Sequence, residues 1–100
     1  MGCGGSKAVK EYLDDHKEGP YGKESDLELA IQHIEAHHKS SMTKIVEMRY
    51  IEKSNGSEIQ DAQQWVIHGN FSDDKNADAT YSVWIAQDGK HEVAPATFTS

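Results

Sequence analysis

The residues best placed to carry chemistry are the first seven, Met1-Gly2-Cys3-Gly4-Gly5-Ser6-Lys7. Gly2 with Ser6 fits M-G-x-x-x-[ST], the pattern for N-terminal myristoylation. That reaction needs a free glycine amine once Met1 is removed, and small residues that enter the transferase. Cys3 is the only cysteine. It can form no internal disulfide, and its thiol can take a second, reversible acyl chain. One myristoyl chain holds a membrane only marginally, whereas two suffice. The chain carries 17 acidic and 10 basic residues, a net charge of -7. It has no basic run to replace the second chain. Gly2 and Cys3 are the expected lipidation sites. The expected location is a membrane surface, on a side the residues do not specify.

Other constellations are weaker. His33 and His37 stand one turn apart on an expected helix, a spacing that metal ligands use. Ile34 follows His33 where zinc proteases need Glu, so that chemistry is excluded. A third ligand would have to come from His38, His68 or His91. Asp74, Asn76 and Asp78 mimic the start of a calcium loop, but Ala79 and Ile85 stand where Gly and Glu are required. No nucleophile has a base near it in sequence, and no phosphate-cradling glycine motif is present. The expectation is a non-enzymatic domain without a cofactor. The acidic balance also argues against nucleic acid as a partner, because such binding depends on neutralising phosphates.

The elements that would position these residues follow from periodicity. Residues 1–7 read as a flexible tether, and residues 8–100 as one domain, a size that supports a single core. Hydrophobic residues make up 36% of the chain. No apolar run approaches the ~20 residues of a spanning helix. Val9, Tyr12, Leu13 and His16 predict a short helix from Ala8 to Lys17, which Gly19-Pro20-Tyr21-Gly22 ends. Ser25 with Glu28 forms a capping box, and Leu27, Ala30, Ile31 and Ile34 form one stripe. A helix is expected over Asp26–His38. The period then changes to that of strands, over 43–53, 58–71, 80–86 and 91–98. Asn55-Gly56 signals a tight type I′ hairpin, and Asp88-Gly89 a second turn. Pro95 suits an edge strand. The fold class is α+β: one main helix and a short N-terminal helix packed on a four-stranded antiparallel meander.

Strict alternation puts Val46, Met48 and Tyr50 on the core face, with Trp65, Ile67 and Phe71, and with Tyr81, Val83 and Ile85. The same alternation sends Ile45, Ile51, Val66 and Trp84 to the opposite face. There they are covered by the first helix or a curled sheet, or they form a binding surface for a protein partner or a second copy of the chain.

Two resemblances bear on function. Cys3-Gly4-Gly5-Ser6-Lys7 resembles the start of a mature bacterial lipoprotein, whose cysteine is acylated. The body is similar to small periplasmic lipoprotein domains in its late hairpin, Trp84, Asp88 and Gly89. This competes with the myristoylation reading, as does a plain linker carrying a thiol; both acylation routes imply an N-terminal anchor. Helix followed by meander also resembles the cystatins. Gln64-Trp65-Val66-Ile67-His68-Gly69 is similar to their Gln-x-Val-x-Gly hairpin, with one residue too many before Gly69, and their late Pro-Trp hairpin is missing. That resemblance implies a cystatin-like fold and an alternative role in cysteine-protease inhibition, with Gln64, Val66 and Gly69 at an exposed tip.

Overall fold

The computed structural model of the chain describes residues 4–72 and 78–98. Two helices, α1 (Gly4–Asp15) and α2 (Glu24–His38), precede four strands, β1 (Met42–Ser54), β2 (Ala62–Phe71), β3 (Asp78–Ile85) and β4 (His91–Pro95). The strands form one antiparallel sheet in the order β1-β2-β3-β4. This is the α+β meander that the periodicity predicts. α1 lies over β1, and α2 over β3 and β4. Both helices therefore cover the same face.

α1 begins earlier than its apolar stripe suggests. Ala8 and Val9 are buried, and in a helix their N–H groups need carbonyls four residues back. The helix accordingly starts at Gly4, inside the expected tether. Gly2 and Cys3 lie outside the described residues. α2 also starts earlier, at Glu24. Lys23 occupies the N-cap with extended backbone and no side-chain cap bond, so Ser25 lies in the first turn and forms no capping box. Leu27, Ala30, Ile31 and Ile34 are buried, as their spacing requires. Lys39 closes α2 in the left-handed conformation, its N–H donating to the Glu35 carbonyl at 2.7 Å. His38 fastens this end to the sheet, its ring stacked on Phe71 and its Nδ1 2.8 Å from the Tyr81 hydroxyl.

β1 departs from alternation. Its register against β2 shifts between Met42 and Lys44, between Ile45 and Glu47, and between Ile51 and Ser54. Each extra residue rotates the following side chains to the other face. Met42, Ile45 and Met48 consequently all enter the core, while Val46 is 42% exposed. Ile45 thus belongs to the helix-covered face and Val46 does not, the reverse of what alternation predicts. β2 alternates regularly, with Trp65, Ile67 and Phe71 buried, and Val83 and Ile85 join them from β3. Tyr12 reaches from α1 into this core, and its hydroxyl accepts the Met48 N–H at 3.2 Å. Burial and a hydrogen bond with Tyr21 push the Tyr12 phenol up to about 12.

The β1–β2 connection is longer than the expected hairpin. It spans residues 55–61, and the positive φ falls at Asp61 (55°). The Asn55 side chain accepts the Asp61 N–H at 3.0 Å, and the Gly56 N–H donates to the Ile59 carbonyl at 2.7 Å. Burial of Ile59 favours this wider path. The Asp88-Gly89 turn forms as expected: Gly89 takes a φ of 92°, and its N–H donates to the Ala86 carbonyl.

Candidate functional site

The sheet face without helices carries three of the four residues expected to form a binding surface. Strand pairing aligns them in rows. Ile51, Gln64, Trp84 and Glu92 form one row across all four strands. Arg49, Val66, Ser82 and Ala94 form the next, followed by Glu47, His68 and Thr80. Ile51 is 37% exposed, and Val66 and Trp84 are half-buried. Ile45 is missing from this face because the bulge turns it inward.

Neutral hydrogen bonds hold the first row. The Trp84 indole donates to the Ser54 hydroxyl at 3.3 Å, and that hydroxyl donates to Gln64 Oε1 at 2.7 Å. Gln64 Nε2 donates to the Ser82 hydroxyl at 3.2 Å. These bonds fix the indole while leaving it half-buried.

Two segments border the face. The 55–61 connection reaches past β2 and β3 to β4, where the Glu92 carboxylate accepts from the Ser57 hydroxyl at 2.6 Å and from the Ser57 and Glu58 N–H groups at 3.0 Å. The Ser57 hydroxyl and these backbone donors hold the Glu92 carboxyl below its usual range. The segment after β4 continues its pairing, with the Ala96 N–H on the Thr80 carbonyl. It then places the Phe98 ring 5.6 Å from the Arg49 guanidinium carbon, on β1. Sequence reasoning missed both borders, because each joins residues more than thirty positions apart.

The other expected sites are arranged differently. Gln64, Val66 and Gly69 lie within β2, an interior strand, and Gly69 is buried opposite Ile45 and Ala79. They form no exposed tip. A Cβ on Gly69 would meet the Met42 sulfur at 2.7 Å and the Lys44 carbonyl at 3.0 Å. The absence of a side chain at this position therefore admits the bulged strand β1. His33 and His37 line one hollow but take different ring partners: His33 stacks on His91 at 3.7 Å, and His37 meets the Tyr81 ring edge-on at 5.3 Å. Among the described residues no three His, Cys, Asp or Glu side chains form a group that could hold a metal. Burial and the neighbouring His91 lower the His33 imidazole below its usual 6.5. Asp74 and Asn76 lie outside the described residues, and Asp78 sits 3.6 Å from His68 Nε2 at the start of β3. No described helix is long and apolar enough to cross a membrane.

Comparison with protein-family models, with curated proteins and with solved structures finds no match for this chain.

Proposed function

We propose that the chain is a non-enzymatic interaction domain held at a membrane by acyl chains on Gly2 and Cys3, and that it binds a protein partner through the helix-free face of its sheet. The observation that carries this reading is the division of the sheet. α1 and α2 both pack on one face. The other presents Ile51, Val66 and Trp84 on a hydrogen-bonded frame. Aromatic and aliphatic residues fixed in this way favour association, because little side-chain freedom is lost on binding. The anchor would act by concentrating the domain near its partner.

Intact mass and cell fractionation test the anchor. The chain recovered from its own cells is expected to carry added acyl mass in the membrane fraction. Gly2→Ala releases it if the glycine amine carries the chain, and Cys3→Ser releases it if the thiol does. Unmodified protein found entirely in the soluble fraction would overturn the proposal. A photo-crosslinker at Val66 tests the face. It should give a discrete adduct that Trp84→Ser removes at a temperature where that variant is still folded by circular dichroism.

A further inference from the structure

We propose that a hollow on the helix side of the sheet, between the α1–α2 connection and β1, receives the ammonium group of a lysine or N-methyllysine side chain from a partner polypeptide. The hollow encloses about 460 Å³ and is lined by Pro20, Tyr21, Gly22, Tyr50 and Glu52. That volume falls within the ~300–1,000 Å³ of typical ligand sites. Two tyrosines and a carboxylate are the groups that recognise an alkylammonium. The ring faces attract the cation through their quadrupoles, and the carboxylate supplies the countercharge.

The walls are set before any ligand arrives. Tyr50 donates its hydroxyl proton to Gln63 Oε1 at 2.6 Å, and Gln63 Nε2 donates to the Asp26 carboxylate at 3.3 Å. The backbone carbonyl of Tyr21 accepts the Trp65 indole N–H at 2.8 Å, and the Tyr21 ring rests edge-on against Tyr12 at 5.6 Å. Gly22, at a φ of 78°, lets the connection approach so closely that a Cβ there would lie 3.0 Å from both Tyr50 and Trp65. Among the described residues no basic side chain forms an ion pair with Glu52. The field is negative: burial raises the Tyr50 phenol, and Glu52 and Asp26 raise it further.

A second hollow of about 480 Å³ shares Tyr50 and Glu52 and adds Lys53, Asp61, Gln63, Ile85 and Gln87. Its carboxamides offer donors and acceptors to the backbone flanking a lysine. A choline headgroup fits less well, because its phosphate would lie beside Glu52 and Asp61, with Lys53 the one cation among the residues that line the two hollows. The net charge of -7 favours a basic segment over an anionic one.

An NMR titration of the full chain decides it. The probes are a Gly/Ser peptide bearing one trimethyllysine, the same peptide with lysine, the same peptide with norleucine, and phosphocholine. The two cationic peptides should give saturable shifts at the Gly22 and Glu52 amides and at the Tyr21 and Tyr50 rings, with Kd on the order of 0.1–1 mM. Glu52→Gln should weaken binding roughly fivefold, and Tyr21→Leu roughly tenfold or more, given the size of cation–π and ion-pair contributions at partly exposed sites. Glu52 is exposed, so its variant is expected to fold. The proposal is overturned if the cationic peptides give no saturable shift, if norleucine binds as well as trimethyllysine, or if Glu52→Gln binds normally. Phosphocholine binding as tightly as the peptides would also overturn it, in favour of a lipid headgroup.

Discussion

The two tryptophans occupy opposite faces of one sheet and are held in opposite ways. Trp65 is fully buried against Tyr50, with its one polar hydrogen on the Tyr21 carbonyl. Trp84 is half-buried, and a chain of neutral side-chain hydrogen bonds fixes it. Burial of a large aromatic contributes several kcal/mol, whereas a neutral hydrogen bond contributes about 1 kcal/mol net. The helix-covered face should therefore determine stability. The open face contributes less to stability, so its residues are freer to vary.

The largest expected effect sharpens this contrast directly. Trp65→Ala should cost about 3–5 kcal/mol in urea unfolding, and Trp84→Ala less than about half as much. Equal losses would break the distinction between the faces. The bulge supplies the next test. Ile45→Ala should cost about 2–4 kcal/mol, while Val46→Ala should stay within about 0.5 kcal/mol. The opposite ranking in unfolding experiments would restore strict alternation. Gly69→Ala should follow at about 1–3 kcal/mol, because its Cβ meets the Met42 sulfur and the Lys44 carbonyl. If that variant is neutral, β1 can flatten against β2.

Smaller effects concern pH. His33 has its imidazole depressed in the folded state by burial and by His91, with His37 and Glu92 lining the same hollow. The unfolded chain then binds more protons, so stability falls as pH drops below 6.5 and levels off below the folded value. Melting temperature should decline between about pH 7.5 and pH 5.5, and His33→Gln should flatten the decline. Glu92 acts at lower pH. Its carboxyl is depressed from the usual 4.5, so its contribution is present above that value and is lost as pH falls through the folded one. Glu92→Gln should speed amide exchange at Ser57 and Glu58 with little change in global stability.

The sequence disclosed those parts of the fold that rest on local period. The α2 stripe and the regular alternation of β2 were readable, and so was the inward set Trp65, Ile67, Val83 and Ile85. The inversion of Ile45 and Val46 was not, because no residue in β1 marks the bulge. The accommodating glycine, Gly69, lies on the neighbouring strand. Asn55-Gly56 misled for a similar reason: Ile59 burial and the distant Glu92 acceptor set the path of that connection. Three of the four face residues, Ile51, Val66 and Trp84, were legible from alternation alone. The hollow around Tyr21 and Tyr50 was not, since nothing local relates a helix connection to a strand almost thirty residues later.

The bulges on β1 also affect how copies of this chain meet. β1 is an edge strand of 13 residues, and a long open edge is a template for aggregation. Its irregular register offers no continuous ladder to an incoming strand. Tyr12 takes up the Met48 N–H, and the Glu35 carboxylate accepts the Met42 N–H at 2.7 Å. The other edge, β4, is five residues long and ends at Pro95. Neither border favours a zipper of backbone hydrogen bonds, so copies of the chain at high local concentration are expected to stay separate rather than fuse into fibrils.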